Sequence, residues 1–188
     1  CGSGGSGSNR STAELRKSVQ KNVAQFLVRG DRALNRGNYR RTLAMTDSAE
    51  QYAPDLADVH FLRGQALSRL TRYGRAQKAY NRVLELDPEY RGARINLGNN
   101  AFRRRQYRQA LTLYEAEEEL KVTADLLVRK GLTYLNLGKV DSALTSYRRA
   151  LEHDSTRASA LIGISRVYEE QGELERAALL DLFDVCLF

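Results

Sequence analysis

One period dominates this chain: similar residues return about every 34 positions. Gly30, Gly64, Gly98 and Gly131 follow one another at intervals of 34, 34 and 33, and Ser165 continues the series. In the same register Thr42, Ala76, Ala110, Ala143 and Ala177 share one position, and Tyr80, Tyr114 and Tyr147 share another. Pro54 and Pro88 close the first two units. Recurrence of several residue types in one phase is the signature of stacked supersecondary units, each too small to bury its apolar face alone. The unit that fits is a helical hairpin. A glycine in the first helix and an alanine in the second allow close crossing. The tyrosines fill the gap to the next unit, and proline stops the second helix.

These residues resemble the tetratricopeptide repeat, whose 34-position pattern runs through Leu-Gly, Tyr, Gly-x-Tyr, Ala, an aromatic, Ala and Pro. The resemblance covers residues 23–188 and divides them into units 23–56, 57–90, 91–123, 124–157 and 158–188. The third unit is one residue short, and the fifth has Ser165 and Asp181 where glycine and an aromatic are usual. The resemblance implies an all-α, right-handed superhelical solenoid over 12–188, preceded by a flexible Gly/Ser-rich tether over 1–11. "STAE" reads as a capping box with Ser11 as N-cap, opening a first helix at about 12–36. Further helices are expected near 39–52, 57–70, 73–86, 91–104, 107–120, 124–137, 140–152, 158–171 and 174–187.

Composition agrees with a folded helical chain. Of 188 residues 42% are hydrophobic and 28% charged, with two prolines and no tryptophan. No apolar run approaches the ~20 residues that span a bilayer. Charge is uneven: residues 1–110 carry 21 Lys/Arg and 9 Asp/Glu, net +12, whereas residues 111–188 carry 9 and 14, net −5. Such asymmetry suits an anionic partner for the first part, or head-to-tail self-association.

No catalytic constellation is present. A Gly-x-x-x-x-Gly-Lys-Ser phosphate loop, a His-Glu-x-x-His pair and a Gly-x-Ser-x-Gly elbow are all missing from the sequence. The carboxylates of "YEAEEEL" read as a solvated helix face. Cys1 and Cys186 lie at opposite ends, without the spacing of a zinc site. His60 and His153 read as surface or groove residues. The chain is expected to be neither an enzyme nor a carrier of cofactor or metal. "FRRRQYRQ" places Arg103, Arg104, Arg105 and Arg108 beside Phe102 and Tyr107. Basic–aromatic mixtures can track single-stranded nucleic acid, but the tyrosines fall on repeat positions committed to packing, so nucleic acid is the disfavoured partner.

The resemblance implies a concave face lined by the first helix of each hairpin. Its positions here are Leu27, Asp31, Phe61, Gln65, Ile95, Asn96, Asn99, Val128, Arg129 and Leu132. Apolar side chains between amides and a guanidinium suit an extended peptide or a helix of another protein. A family subset clamps the C-terminal carboxylate of heat-shock chaperones. Asn96 and Arg129 match that set, Phe61, Gln65 and Asp125 do not, and an aspartate would repel a carboxylate.

The two ends carry expectations of their own. A cysteine at position 1 followed by glycine and serine resembles a mature bacterial lipoprotein, in which Cys1 would bear the lipid. That implies a scaffold anchored to a membrane of the bacterial envelope, on its non-cytoplasmic side. The same residues also read as an engineered linker on a soluble cytoplasmic adaptor. At the other end, "LLDLFDVCLF" crowds Leu182, Phe183, Leu187 and Phe188 onto a short helix, which points to docking on a partner subunit or to self-association.

Overall fold

The computed structural model describes residues 6–173. Among them are nine α-helices and no strand: α1 (Ser6–Asn35), α2 (Tyr39–Glu50), α3 (Ala57–Arg69), α4 (Tyr73–Leu86), α5 (Ala93–Arg103), α6 (Tyr107–Glu118), α7 (Ala124–Asn136), α8 (Val140–His153) and α9 (Ala158–Gln171). They form two compact units divided between Ala93 and Arg94. In the first, α1 packs on α2, α2 on α3 and α3 on α4, with α1 also touching α3. In the second, α6 packs on α7, α7 on α8 and α8 on α9, with α7 also touching α9. Cys1, the helix expected at 174–187 and the apolar residues Leu182, Phe183, Leu187 and Phe188 lie outside the described residues.

Each helical hairpin is closed by the same turn. The residue fifteenth in the repeat takes a left-handed conformation: Gly37, Thr71, Arg105, Gly138 and Gly172, with φ of 74°, 58°, 60°, 70° and 78°. The next N–H reaches back five residues to the end of the preceding helix. Asn38 donates to Ala33 O at 2.8 Å, Arg72 to Leu67 O at 2.9 Å, Gln106 to Ala101 O at 2.9 Å, and Lys139 to Tyr134 O at 2.9 Å. This satisfies a helix-end carbonyl that would otherwise lack a donor. Glycine adopts the conformation freely; Thr71 and Arg105 do not.

The register glycines make room for rings. A Cβ on Gly64 would stand 2.6 Å from Tyr80 Cε1, and one on Gly131 2.6 Å from Tyr147 Cε1. Tyr80, Tyr114 and Tyr147 are completely buried. The tyrosine therefore packs first inside its own hairpin. Tyr147 also fills the gap to the next one, because a Cβ on Gly163 in α9 would lie 2.5 Å from its Cζ. The first unit has Thr46 in this position, and Leu62 Cδ2 lies where a Cβ of Gly30 would go, at 2.8 Å. There the buried Thr42, at the alanine position, donates its hydroxyl to Gly30 O at 3.1 Å and ties α2 to α1.

Two expectations are corrected. Helix α1 spans Ser6–Asn35, so residues 6–11 belong to it rather than to a tether, and Ser11 lies inside the helix instead of capping it. His60 is buried rather than on a surface, and its Nε2 lies 2.6 Å from Pro54 O, which fixes the proton on that nitrogen. Of the eight tyrosines on repeat positions, Tyr39, Tyr73, Tyr107, Tyr134 and Tyr168 are half-buried, and of these Tyr134 and Tyr168 pack against the α7–α9 core and Tyr107 against Phe102.

Candidate functional site

The first helix of each hairpin carries the positions expected to receive a partner. In the second unit these helices are α5, α7 and α9. Asn99 of α5 and Arg129 of α7 come together: Arg129 Nη1 donates to Asn99 Oδ1 at 2.9 Å. The same oxygen accepts the hydroxyl of buried Tyr114 at 2.8 Å. Burial pushes that phenol up to about 12, although the Arg129 charge pulls it down. With both donors on Oδ1, the amide orientation is settled, and the Asn99 NH2 is a donor turned away from them. Arg129 is exposed and keeps its remaining N–H groups. The spot is therefore rich in donors.

Apolar side chains flank it. Ile95 packs partly on the α5–α6 core and Val128 partly on the α7–α9 core, so each presents only part of its surface. Leu132 and Asn96 are half-buried, and Asn96 is not without a partner. The register adds two residues that were not singled out from the sequence. Ile162 lies 34 residues after Val128 and is 57% exposed, and Arg166, 34 after Leu132, pairs with Glu170 at 3.2 Å. Extending the 34-residue count by one repeat would have found both.

In the first unit the corresponding positions serve packing more than display. Phe61 lies 5.8 Å from Tyr80 and 4.9 Å from Tyr90 between ring centroids. Gln65 is half-buried, and Asp31 accepts from Asn35 Nδ2 at 3.1 Å. Leu27 lines an apolar cleft of about 370 Å³ with Val19, Val23, Tyr52, Ala53 and Leu56.

The second position of the repeat closes hairpin ends. Asp58 accepts the hydroxyl of Tyr90 at 2.5 Å, and Asp125 pairs with Arg157; both partners lie 32 residues downstream. Burial, and the hydrogen bond to that carboxylate, push the Tyr90 phenol upward. The charge of Asp125, which separates this chain from the carboxylate-clamping subset, is thus engaged by a guanidinium.

The arginines of the third repeat sit at the turn between α5 and α6 and the start of α6. Arg103, Arg104, Arg105 and Arg108 are all exposed, and Phe102 and Tyr107 pack on each other at 5.3 Å instead of offering faces to bases. Among the described residues no group of His, Cys, Asp and Glu could hold a metal ion, and no helix is long and apolar enough to cross a membrane.

Comparison with known proteins agrees with this geometry. Family models of the tetratricopeptide repeat match residues 57–90 and 128–183. A TPR repeat-containing protein of Methanocaldococcus jannaschii is 36% identical over 73 residues, 39% of this chain and 22% of the relative. The Hsp70-Hsp90 organising protein of Plasmodium falciparum is 25% identical over 134 residues, 66% of this chain and 23% of the relative. The chain thus spans less than a quarter of either relative. MamA from Desulfovibrio magneticus RS-1 superposes with a TM-score of 0.78 at 20% identity, over 88% of this chain and 94% of that one. This chain therefore carries tetratricopeptide repeats and has the all-α fold in which such repeats stack.

Proposed function

We propose that the protein is a non-catalytic scaffold that binds other proteins through the first helices of its hairpins. The observation that carries this reading is the Tyr114–Asn99–Arg129 chain of hydrogen bonds, which leaves Arg129 exposed with N–H groups to spare, on helices that also carry Ile95 and Val128 and, one repeat on, the exposed Ile162. Donors between apolar patches suit a peptide segment, whose backbone carbonyls or terminal carboxylate accept while its side chains take the apolar positions. Arg129 next to Asn99 favours an acceptor that carries negative charge.

Site-specific photo-crosslinking in the source cells tests the reading. A photoreactive side chain at position 162 or 129 is expected to give protein adducts, whereas one at Thr145, exposed on α8, is not. Adducts at 145 with none at 129 and 162 would move the partner to the other face and defeat the proposal.

The anchor is a second part of the proposal: Cys1 carries lipid, and the scaffold serves a complex of the bacterial envelope. Its support is the cysteine followed by glycine and serine. Two or more acyl chains would give stable attachment where one is marginal. Intact mass of protein isolated from its source decides it: acyl mass on Cys1 is expected, and a bare cysteine or preceding residues would leave a soluble adaptor instead.

A further inference from the structure

A second cleft lies between α2, α3 and α4 of the first unit. Residues of α2, α3 and α4 enclose a cleft of about 520 Å³, within the roughly 300–1,000 Å³ of ordinary ligand clefts. Its apolar lining is Leu43, Leu67 and Ala79, and its walls are strongly basic.

The cations in this cleft fall into two groups. Arg63 is held by Asp47 at 2.8 Å and Glu50 at 2.7 Å, and Arg82 by Asp55 at 2.6 Å and Glu85 at 3.1 Å. Arg72, Arg75 and Lys78 are exposed and pair with no carboxylate among the described residues. They follow one another at three-residue steps along α4, so their like charges repel on one side of the helix. The positive end of the helix dipole adds to them, as the first turn of α4 has no acidic residue. Nearby carboxylates are already engaged by Arg63 and Arg82, which leaves these three cations open to an anionic partner.

We infer that this cleft binds an acidic segment of a partner protein, with carboxylates on Arg72, Arg75 and Lys78 and an aliphatic side chain on Leu43, Leu67 and Ala79. The lining chooses protein over nucleic acid. Its one aromatic ring, His60, is buried and held by the Pro54 carbonyl, so it offers no open face on which a base could stack, and its apolar floor has no counterpart on a phosphate backbone. The site is independent of the donor-rich face in the second unit.

Fluorescence anisotropy with three labelled probes tests the assignment: an eight-residue peptide of alternating Glu and Leu, its Gln and Leu counterpart, and single-stranded oligo-dT. The acidic peptide is expected to bind, to weaken as salt rises, and to outcompete the other two. The triple variant Arg72→Gln, Arg75→Gln, Lys78→Gln should lose at least tenfold in affinity with helicity unchanged. Removing three charges elsewhere, by Arg103→Gln, Arg104→Gln, Arg105→Gln, should leave binding as it was. No binding at about 1 mM peptide, equal loss in both variants, or preference for oligo-dT would each overturn the inference. So would a wild-type dimer that dissociates in the first triple variant, because the occupant would then be a second copy.

Discussion

At the scale of single residues, Gly131 has a tyrosine ring where a Cβ would go. Gly131→Ala must displace Tyr147 from a fully buried position between α7 and α9. Forced repacking of this kind costs about 1–3 kcal/mol, and denaturant unfolding should show that loss. The left-handed turns predict the opposite sign. Thr71 and Arg105 sit at φ of 58° and 60°, where their three counterparts are glycine. Thr71→Gly or Arg105→Gly should therefore raise stability by about 1 kcal/mol, and a lowered midpoint would show that the side chain holds the turn. The glycine and tyrosine positions were legible because they recur in phase. Burial of His60 was not, since its partner is a backbone carbonyl six residues away that no side-chain pattern announces.

At the scale of elements, Glu118 joins three helices. From the end of α6 it pairs with Lys130 of α7 and, at 2.8 Å, with Arg149 of α8. Burial pushes its carboxyl up, but the hydrogen bonds and charges of Lys130 and Arg149 outweigh that and hold it below its ordinary 4.5. A depressed carboxylate stabilises the fold above its unfolded pKa and loses that contribution as pH falls through the folded value. Stability should accordingly decline below about pH 4.5, and Glu118→Gln should flatten this acid limb in pH-dependent unfolding. Lys130→Ala should cost about 2 kcal/mol at neutral pH. Helix positions were readable to within about two residues from Tyr39 to Gln171, because caps, turns and small residues repeat together. The start of α1 was not, since no repeat lies before it for comparison and a plausible cap residue such as Ser11 can sit inside a helix.

Across the whole chain, Tyr80, Tyr114 and Tyr147 mark the same buried position in three successive repeats. Burial pushes each phenol up to about 12. Their protonated form is favoured by folding, so this contribution is complete below pH 10, the ordinary value, and is lost as pH rises through about 12. Phenolate absorbance and helical circular dichroism, followed together, should show delayed ionisation that coincides with loss of helix. Ionisation of all ten tyrosines near pH 10 with the helices intact would contradict the burial. The sequence by itself determined the all-α repeat architecture, since a 34-residue period in several residue types is satisfied only by stacked hairpins. It also marked out the first-helix positions. Only tertiary structure decided which of those positions remain available. Phe61 turns to two rings, Asp125 to Arg157, and Asn99 to Tyr114 and Arg129. Nor could any count of charges separate the paired Arg63 and Arg82 from the unpaired Arg72, Arg75 and Lys78. Periodicity fixes where a side chain starts, whereas its partners come from neighbouring helices that only folding brings within reach.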